Sequence, residues 1–150
     1  MKAEIQNIAT LLNSTYEKGA WHGPSVKEVL ADLTQATAHK RINNSHSIIE
    51  LIAHMASWRI YVAERLIGNN DFEVGDHLNF PKIDKLTEAL FRLETSQQKL
   101  MAAIGSFPEE KLTDVVPNTS HNYTYYTLLH GIIHHDLYHA GQIQIIKKYV

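Results

Sequence analysis

Residues 124–148 read TYYTLLHGIIHHDLYHAGQIQIIKK. At about 100° per residue, Leu128, Ile132, His135, His139, Ile143 and Ile146 fall on one stripe of a helix, and no strand register lines them up. Lys147 and Lys148 close the segment, where positive charge complements the negative end of the helix dipole. His135 and His139 therefore face the core. Residues four apart on a helix hold their Cβ atoms about 5–6 Å apart, which lets two imidazoles converge on one ion. His130 and His134 share that spacing but project to the opposite side, toward water or a second subunit.

The same period governs most of the chain. Residues 1–18 carry Ile5, Ile8, Ala9, Leu12 and Tyr16 at helical spacing, and Gly19 is placed to stop that helix. Trp21-His22-Gly23-Pro24 breaks the chain, after which Ser25 and Glu28 form a capping-box pair that opens a short helix to about Ala38. Ser47 and Glu50 form a second such pair, opening a long helix over residues 47–67. Its apolar face is Ile48, Leu51, Met55, Trp58, Val62 and Leu66, and Gly68-Asn69-Asn70 ends it. A third long helix over residues 82–104 sets Leu86, Leu90, Leu93, Gln97, Leu100 and Ile104 at alternating spacings of four and three, the seam of a packed bundle. Gly105 and Pro108 close it. A short helical turn over residues 108–113 and an irregular stretch through Pro117 and Asn118 lead into the last helix.

The pattern predicts an all-α fold, a four-helix bundle with one short extra helix. Residues 69–81, fully extended, reach on the order of 40 Å at roughly 3.3 Å each. A helix of about 22 residues is only about 33 Å long. The connection is thus long enough to cross the bundle and leave the second and third long helices parallel.

With 150 residues and 44% hydrophobic content, the chain is expected to form one domain spanning 1–150 around one core. Fourteen Lys plus Arg against sixteen Asp plus Glu leave a net charge of −2, without the basic footprint that nucleic-acid binding requires. The absence of Cys excludes disulfides, thiolate metal sites and a cysteine nucleophile, and suits a reducing cytoplasm. Lys2, Glu4, Gln6 and Asn7 interrupt the first apolar residues and no run of eighteen apolar residues occurs, so neither a signal peptide nor a membrane span is expected. The anomaly is ten histidines.

Among the histidines off the last helix, only His54 lies well inside an expected bundle helix, which makes it the leading candidate for a third ligand. It projects about 80° from the centre of its apolar stripe, between Glu50 one turn before and Tyr61 two turns after, on a flank where a pocket mouth can form. Glu50 has two readings, a ligand or acceptor at the site and a helix cap. Met55, Trp58 and Trp21 are expected in the core. His22, His39, His46, His77 and His121 fall near helix ends or in loops and are expected to be solvated.

The stretches Trp21-His22-Gly23-Pro24-Ser25, His46-Ser47-Ile48-Ile49-Glu50-Leu51-Ile52-Ala53-His54 with Trp58 beyond it, and above all His135-Asp136-Leu137-Tyr138-His139-Ala140-Gly141-Gln142-Ile143 resemble the DinB-like superfamily of four-helix-bundle proteins. The resemblance implies an up-down-down-up bundle that binds a divalent metal through one histidine of the second helix and two of the last, by position His54, His135 and His139. Its relatives include bacillithiol transferases and mycothiol-dependent isomerases, which use low-molecular-weight thiols, and homodimers recur among them. The family name implies no DNA binding.

Two functions follow. In the first, three neutral imidazoles leave positions open on the ion, as catalytic sites do. Imidazole suits Zn, Ni, Cu and Fe alike, with Zn or Ni expected first. The metal then activates a thiol or water toward a small electrophile, giving a thiol S-transferase or a hydrolase. Glu50 and Gln142 would orient the ligands. In the second, the chain is a non-catalytic metal- or ligand-binding stress protein, a reading favoured by the lack of an identifiable base or nucleophile.

Overall fold

The computed structural model describes residues 3–149. Met1 and Lys2, which the sequence puts in the first helix, and Val150 lie outside the described residues. The fold is all-α, with seven α-helices, one 3-10 turn and no strand among the described residues. The long helices are α1 (Ala3–Tyr16), α4 (Ile48–Leu66), α6 (Leu86–Ser106) and α7 (Tyr125–Tyr149). The short ones are α2 (Val26–Leu30), α3 (Gln35–Ala38) and α5 (Asp76–Asn79), and Glu109–Lys111 forms the 3-10 turn. No described helix is long and apolar enough to cross a membrane.

The expected single helix from Ser25 to Ala38 is two helices. Ser25 and Glu28 cap the first reciprocally, but Thr34 and Thr37 make a second reciprocal cap. Each cap satisfies backbone N–H groups that a continuous helix would leave to its preceding turn, so the chain restarts at Thr34. The third long helix begins at Leu86, not Lys82. Gln35 from α3 explains the shift, because its Oε1 accepts the Leu86 N–H at 2.9 Å and supplies that helix end with a tertiary cap. At the other end Gly105 lies within the helix. Trp21 overturns its expectation most plainly: it is fully exposed, because it lies in the turn before α2 and no helix covers it.

Both α1 and α4 pack against α6 and α7. The interior divides into two apolar clusters. One takes Tyr16 from the end of α1, Ile49, Ile52 and Met55 from the start of α4, Leu86 and Leu93 from the start of α6, and Ile143 and Ile146 from the end of α7. The other takes the opposite ends: Ile5, Ile8 and Leu12; Val62 and Leu66; Leu100 and Ile104; Leu129 and Ile132. Between them lies a polar layer of Arg59, Gln97 and Asp136, all buried. Arg59 donates to Asp136 through Nε at 3.3 Å and Nη2 at 2.5 Å, donates through Nη1 to Gln97 Oε1, and lies 4.5 Å over the Tyr16 ring. Burial pushes the Asp136 carboxyl up to about 6, with Arg59 pulling it back. One buried ion pair thus ties α4 to α7 within a turn or two of His54 and His135.

Candidate metal centre

The connection between α4 and α6 is not bare chain. It folds into α5 and delivers Asn79 and Phe80 onto the α4 face that carries His54. The Nδ1–H of His54 donates to the Asn79 carbonyl at 2.8 Å, since a carbonyl only accepts. The Asn79 side chain accepts from Trp58 Nε1 at 3.0 Å, so one residue fixes both rings. Phe80 stacks on His54 with centroids 4.2 Å apart and planes 11° apart. With its Nδ1 protonated, His54 directs the lone pair of Nε2 into the protein.

His135 and His139 meet that lone pair from α7. His54 Nε2 lies 3.0 Å from His135 Nε2, which lies 3.1 Å from His139 Nε2. The Nδ1–H of His139 donates to Gln142 Oε1 at 2.6 Å, so its Nε2 also offers a lone pair. Two fixed lone pairs therefore confront the third imidazole, whose single Nε2–H can satisfy only one of them. A cation at their centre satisfies all three. Both distances to His135 fit: two ligands at about 2.0–2.1 Å from one ion, with angles of about 90–109°, stand roughly 2.8–3.4 Å apart. Among the described residues this trio is the one group of three or more His, Asp or Glu whose ligand atoms come within 4.8 Å of one another.

Electrostatics favours the neutral form that binding needs. Burial holds His54 and His139 below the ordinary histidine range, and burial with the neighbouring His139 and His54 depresses His135 to about 3. His54 and His139 are each 7% exposed, closed off yet not sealed.

The remaining residues singled out in the sequence sort clearly. Gln142 touches the centre through His139. Glu50 is the helix cap, accepting from the Ser47 N–H at 2.7 Å and from the Ser47 hydroxyl at 2.9 Å, with Arg41 3.2 Å away. Its link to the centre is indirect, through His46 at 3.8 Å. His46 is exposed, as expected, and also stacks on Phe80 with centroids 3.7 Å apart. His134 is exposed, and His130 packs on Tyr126, donating from Nδ1 to its carbonyl at 2.9 Å. Neither approaches the trio.

Two clefts flank the centre. One, about 250 Å³, reaches His135 and is walled by Trp58, Tyr61, Tyr123 and Ile132. The other, about 420 Å³, reaches His139 and Gln142 and is bordered by His46 and Tyr138. Sequence reading missed Asn79, Phe80 and Tyr123, which come from connections and carry no helical period. It also missed Arg59 and Asp136, for which a signal existed. Arg59 continues the seam Ile52, Met55, Arg59, Val62, Leu66, and Asp136 continues Leu129, Ile133, Asp136, Ala140, Ile143. Opposite charges at seam positions of two helices are the mark of a buried pair.

An all-α chain with three convergent imidazoles, two buried and one half-buried, defines a class of helical proteins with a candidate three-histidine metal centre. Residues 21–143 match the family model of the DinB superfamily, and the chain belongs to that superfamily. No match is found among curated proteins or among solved structures.

Proposed function

We propose that this protein is a divalent-metal-dependent enzyme that activates a low-molecular-weight thiol or water toward a small electrophile, as a thiol S-transferase or a hydrolase. The convergence of three Nε2 atoms with two lone pairs fixed inward is the observation that carries the reading. His54, His135 and His139 would hold the ion, with Zn or Ni suited to imidazole. An ion held by these residues would supply Lewis acidity, which lowers the pKa of a thiol or water and favours its nucleophilic anion at neutral pH. Asn79 and Gln142 hold the tautomers of His54 and His139. Phe80 and Trp58 wall the centre from bulk water, and the flanking clefts give a small molecule access.

The arrangement of the core supports an up-down-down-up four-helix bundle forming one domain. Each apolar cluster joins one end of α1 and α7 to the opposite end of α4 and α6, as expected if α4 and α6 run together against the other two. Kinship with the superfamily supports a homodimer, to which the outward face of Tyr126, His130 and His134 is available, and the Cys-free composition suits a cytoplasmic setting. A non-catalytic metal- or ligand-binding stress protein is the second reading, favoured by the absence of a carboxylate bonded to the trio among the described residues.

Kinetics separates the two. Tag-free protein loaded with Zn or Ni is assayed for thiol conjugation and for hydrolysis of small electrophiles. Metal-dependent turnover that disappears in His135→Ala is expected. Stoichiometric metal binding with no turnover across both reaction classes would favour the binding protein.

A further inference from the structure

The cleft beside His135 differs in character from its neighbour beyond His139. Its lining contains no Asp, Glu, Lys or Arg, and its one titratable group besides the tyrosines is His135 itself. Trp58 forms a fixed wall, since its indole N–H is held by Asn79 and its ring meets Tyr61 edge-on at 5.3 Å. An apolar cavity of about 150 Å³ accommodates benzene. At about 250 Å³ this one has room for one or two fused rings.

The polar feature of the wall is specific. The hydroxyls of Tyr61 and Tyr123 stand 3.1 Å apart. One donates to the other, and the second hydroxyl keeps its own proton free to donate; the pair stands between this cleft and an adjoining opening bordered by Glu73 and Asn118. Burial and Tyr61 raise the Tyr123 phenol, so it stays a donor across the physiological range. A ligand with one acceptor oxygen is matched. None of the cleft's own side chains offers a charged ligand a counter-charge for the hydration it loses. Because an ion on His135 would supply one to an anion, probe affinities are to be compared on metal-stripped protein.

Gly131, like Gly141 on the same helix, has open space where a side chain would stand. It lies in the interior of α7 and lines the cleft. Glycine there costs roughly 0.5–1 kcal/mol of helix stability relative to alanine. A Cβ added at Gly131 would meet nothing within 4 Å, so packing does not demand the small residue. Gly131 is exposed, so what its missing side chain leaves open is the mouth of the cleft on the α7 side.

We infer that this cleft seats the ring system of the substrate, an uncharged aromatic electrophile of one or two rings bearing a carbonyl-type oxygen, stacked on Trp58 and hydrogen-bonded by the Tyr61–Tyr123 pair. The inference rests on the proposed enzymatic role of the three-histidine centre, because it places the electrophile against His135.

The test uses two inert probes of equal ring size, 2-acetonaphthone, which is uncharged, and 2-naphthoate, which is anionic. Trp21 is fully exposed, so Trp21→Phe leaves the fold intact and makes Trp58 the sole tryptophan reporter. Saturable quenching by 2-acetonaphthone is expected, at least about tenfold tighter than by 2-naphthoate, a difference worth about 1.4 kcal/mol. Gly131→Leu, which obstructs the mouth, is expected to weaken it about tenfold or more at unchanged helical circular dichroism. Thr127→Phe fills the cleft from another position and should act alike, and Tyr123→Phe should weaken the ketone selectively. Equal affinity for both probes, or quenching undiminished in both filling variants, overturns the assignment. Zinc calorimetry on the same proteins keeps the two claims apart. Zinc binding without probe binding refutes the cleft assignment alone. Probe binding without zinc binding supports the cleft and refutes the metal centre.

Discussion

Asp136→Asn, measured at pH 8, tests whether the polar layer holds α4 against α7. Both Arg59 and Asp136 have fully buried side chains, and two of the guanidinium's hydrogen bonds end on the carboxylate. The amide keeps one acceptor but turns an NH2 group toward the guanidinium, leaving a buried charge without its counter-ion. Breaking one side of such a pair costs about 3–5 kcal/mol. In a chain of this length each kcal/mol moves Tm by roughly 2–4 °C, so the variant should melt about 6–20 °C lower. Replacing both partners removes the unpaired charge, and such replacements are often neutral. Arg59→Met with Asp136→Leu should therefore be more stable than Asp136→Asn, although Gln97 then loses its donor. Thermal melts followed by circular dichroism provide the measurement. A drop of less than about 3 °C for Asp136→Asn, or a double variant less stable than the single, would refute the assigned role of the pair.

Two further outcomes follow from the centre. Gln142→Leu removes the acceptor that orients His139, and losses of this kind typically cost about 10–100-fold in metal affinity, readable by competition with a chromophoric chelator. For pH, the folded-state values of His54, His135 and His139 lie below the unfolded value of about 6.5, so the unfolded chain binds protons first. Stability of the metal-free protein should fall between about pH 6.5 and 5 as the histidines of the unfolded chain take up protons, partly offset by Asp136, whose raised carboxyl is protonated first in the folded state. The fall should be shallower in His135→Phe, and denaturant titrations across the range check it.

Much of this fold was legible because helices write their period into the sequence. The last helix was placed within a residue at each end, and the stripe through His135 and His139 faces inward as read. His54 was legible as a flank residue because it lies inside a long capped helix. The second cap within residues 25–38 was missed because a Thr-x-x-Thr pair is a weaker signal than Ser-x-x-Glu. Asn79 and Phe80 were beyond reach for another reason. Their position against His54 depends on how the α4–α6 connection folds back, which local propensity does not encode. Arg59 and Asp136 were readable in principle, but a charge on an apolar seam reads as a pattern break until its partner on another helix is identified.

The most direct test of the central claim is calorimetric titration of tag-free, metal-stripped protein with zinc, run beside His54→Ala, Glu50→Gln and His130→Ala. One ion per chain should bind the parent, Glu50→Gln and His130→Ala, and raise their melting temperatures in proportion to occupancy. Binding and the melting shift should collapse in His54→Ala, because two histidines from one helix no longer close the site. If His54→Ala keeps both while Glu50→Gln or His130→Ala loses them, the three-histidine centre is contradicted.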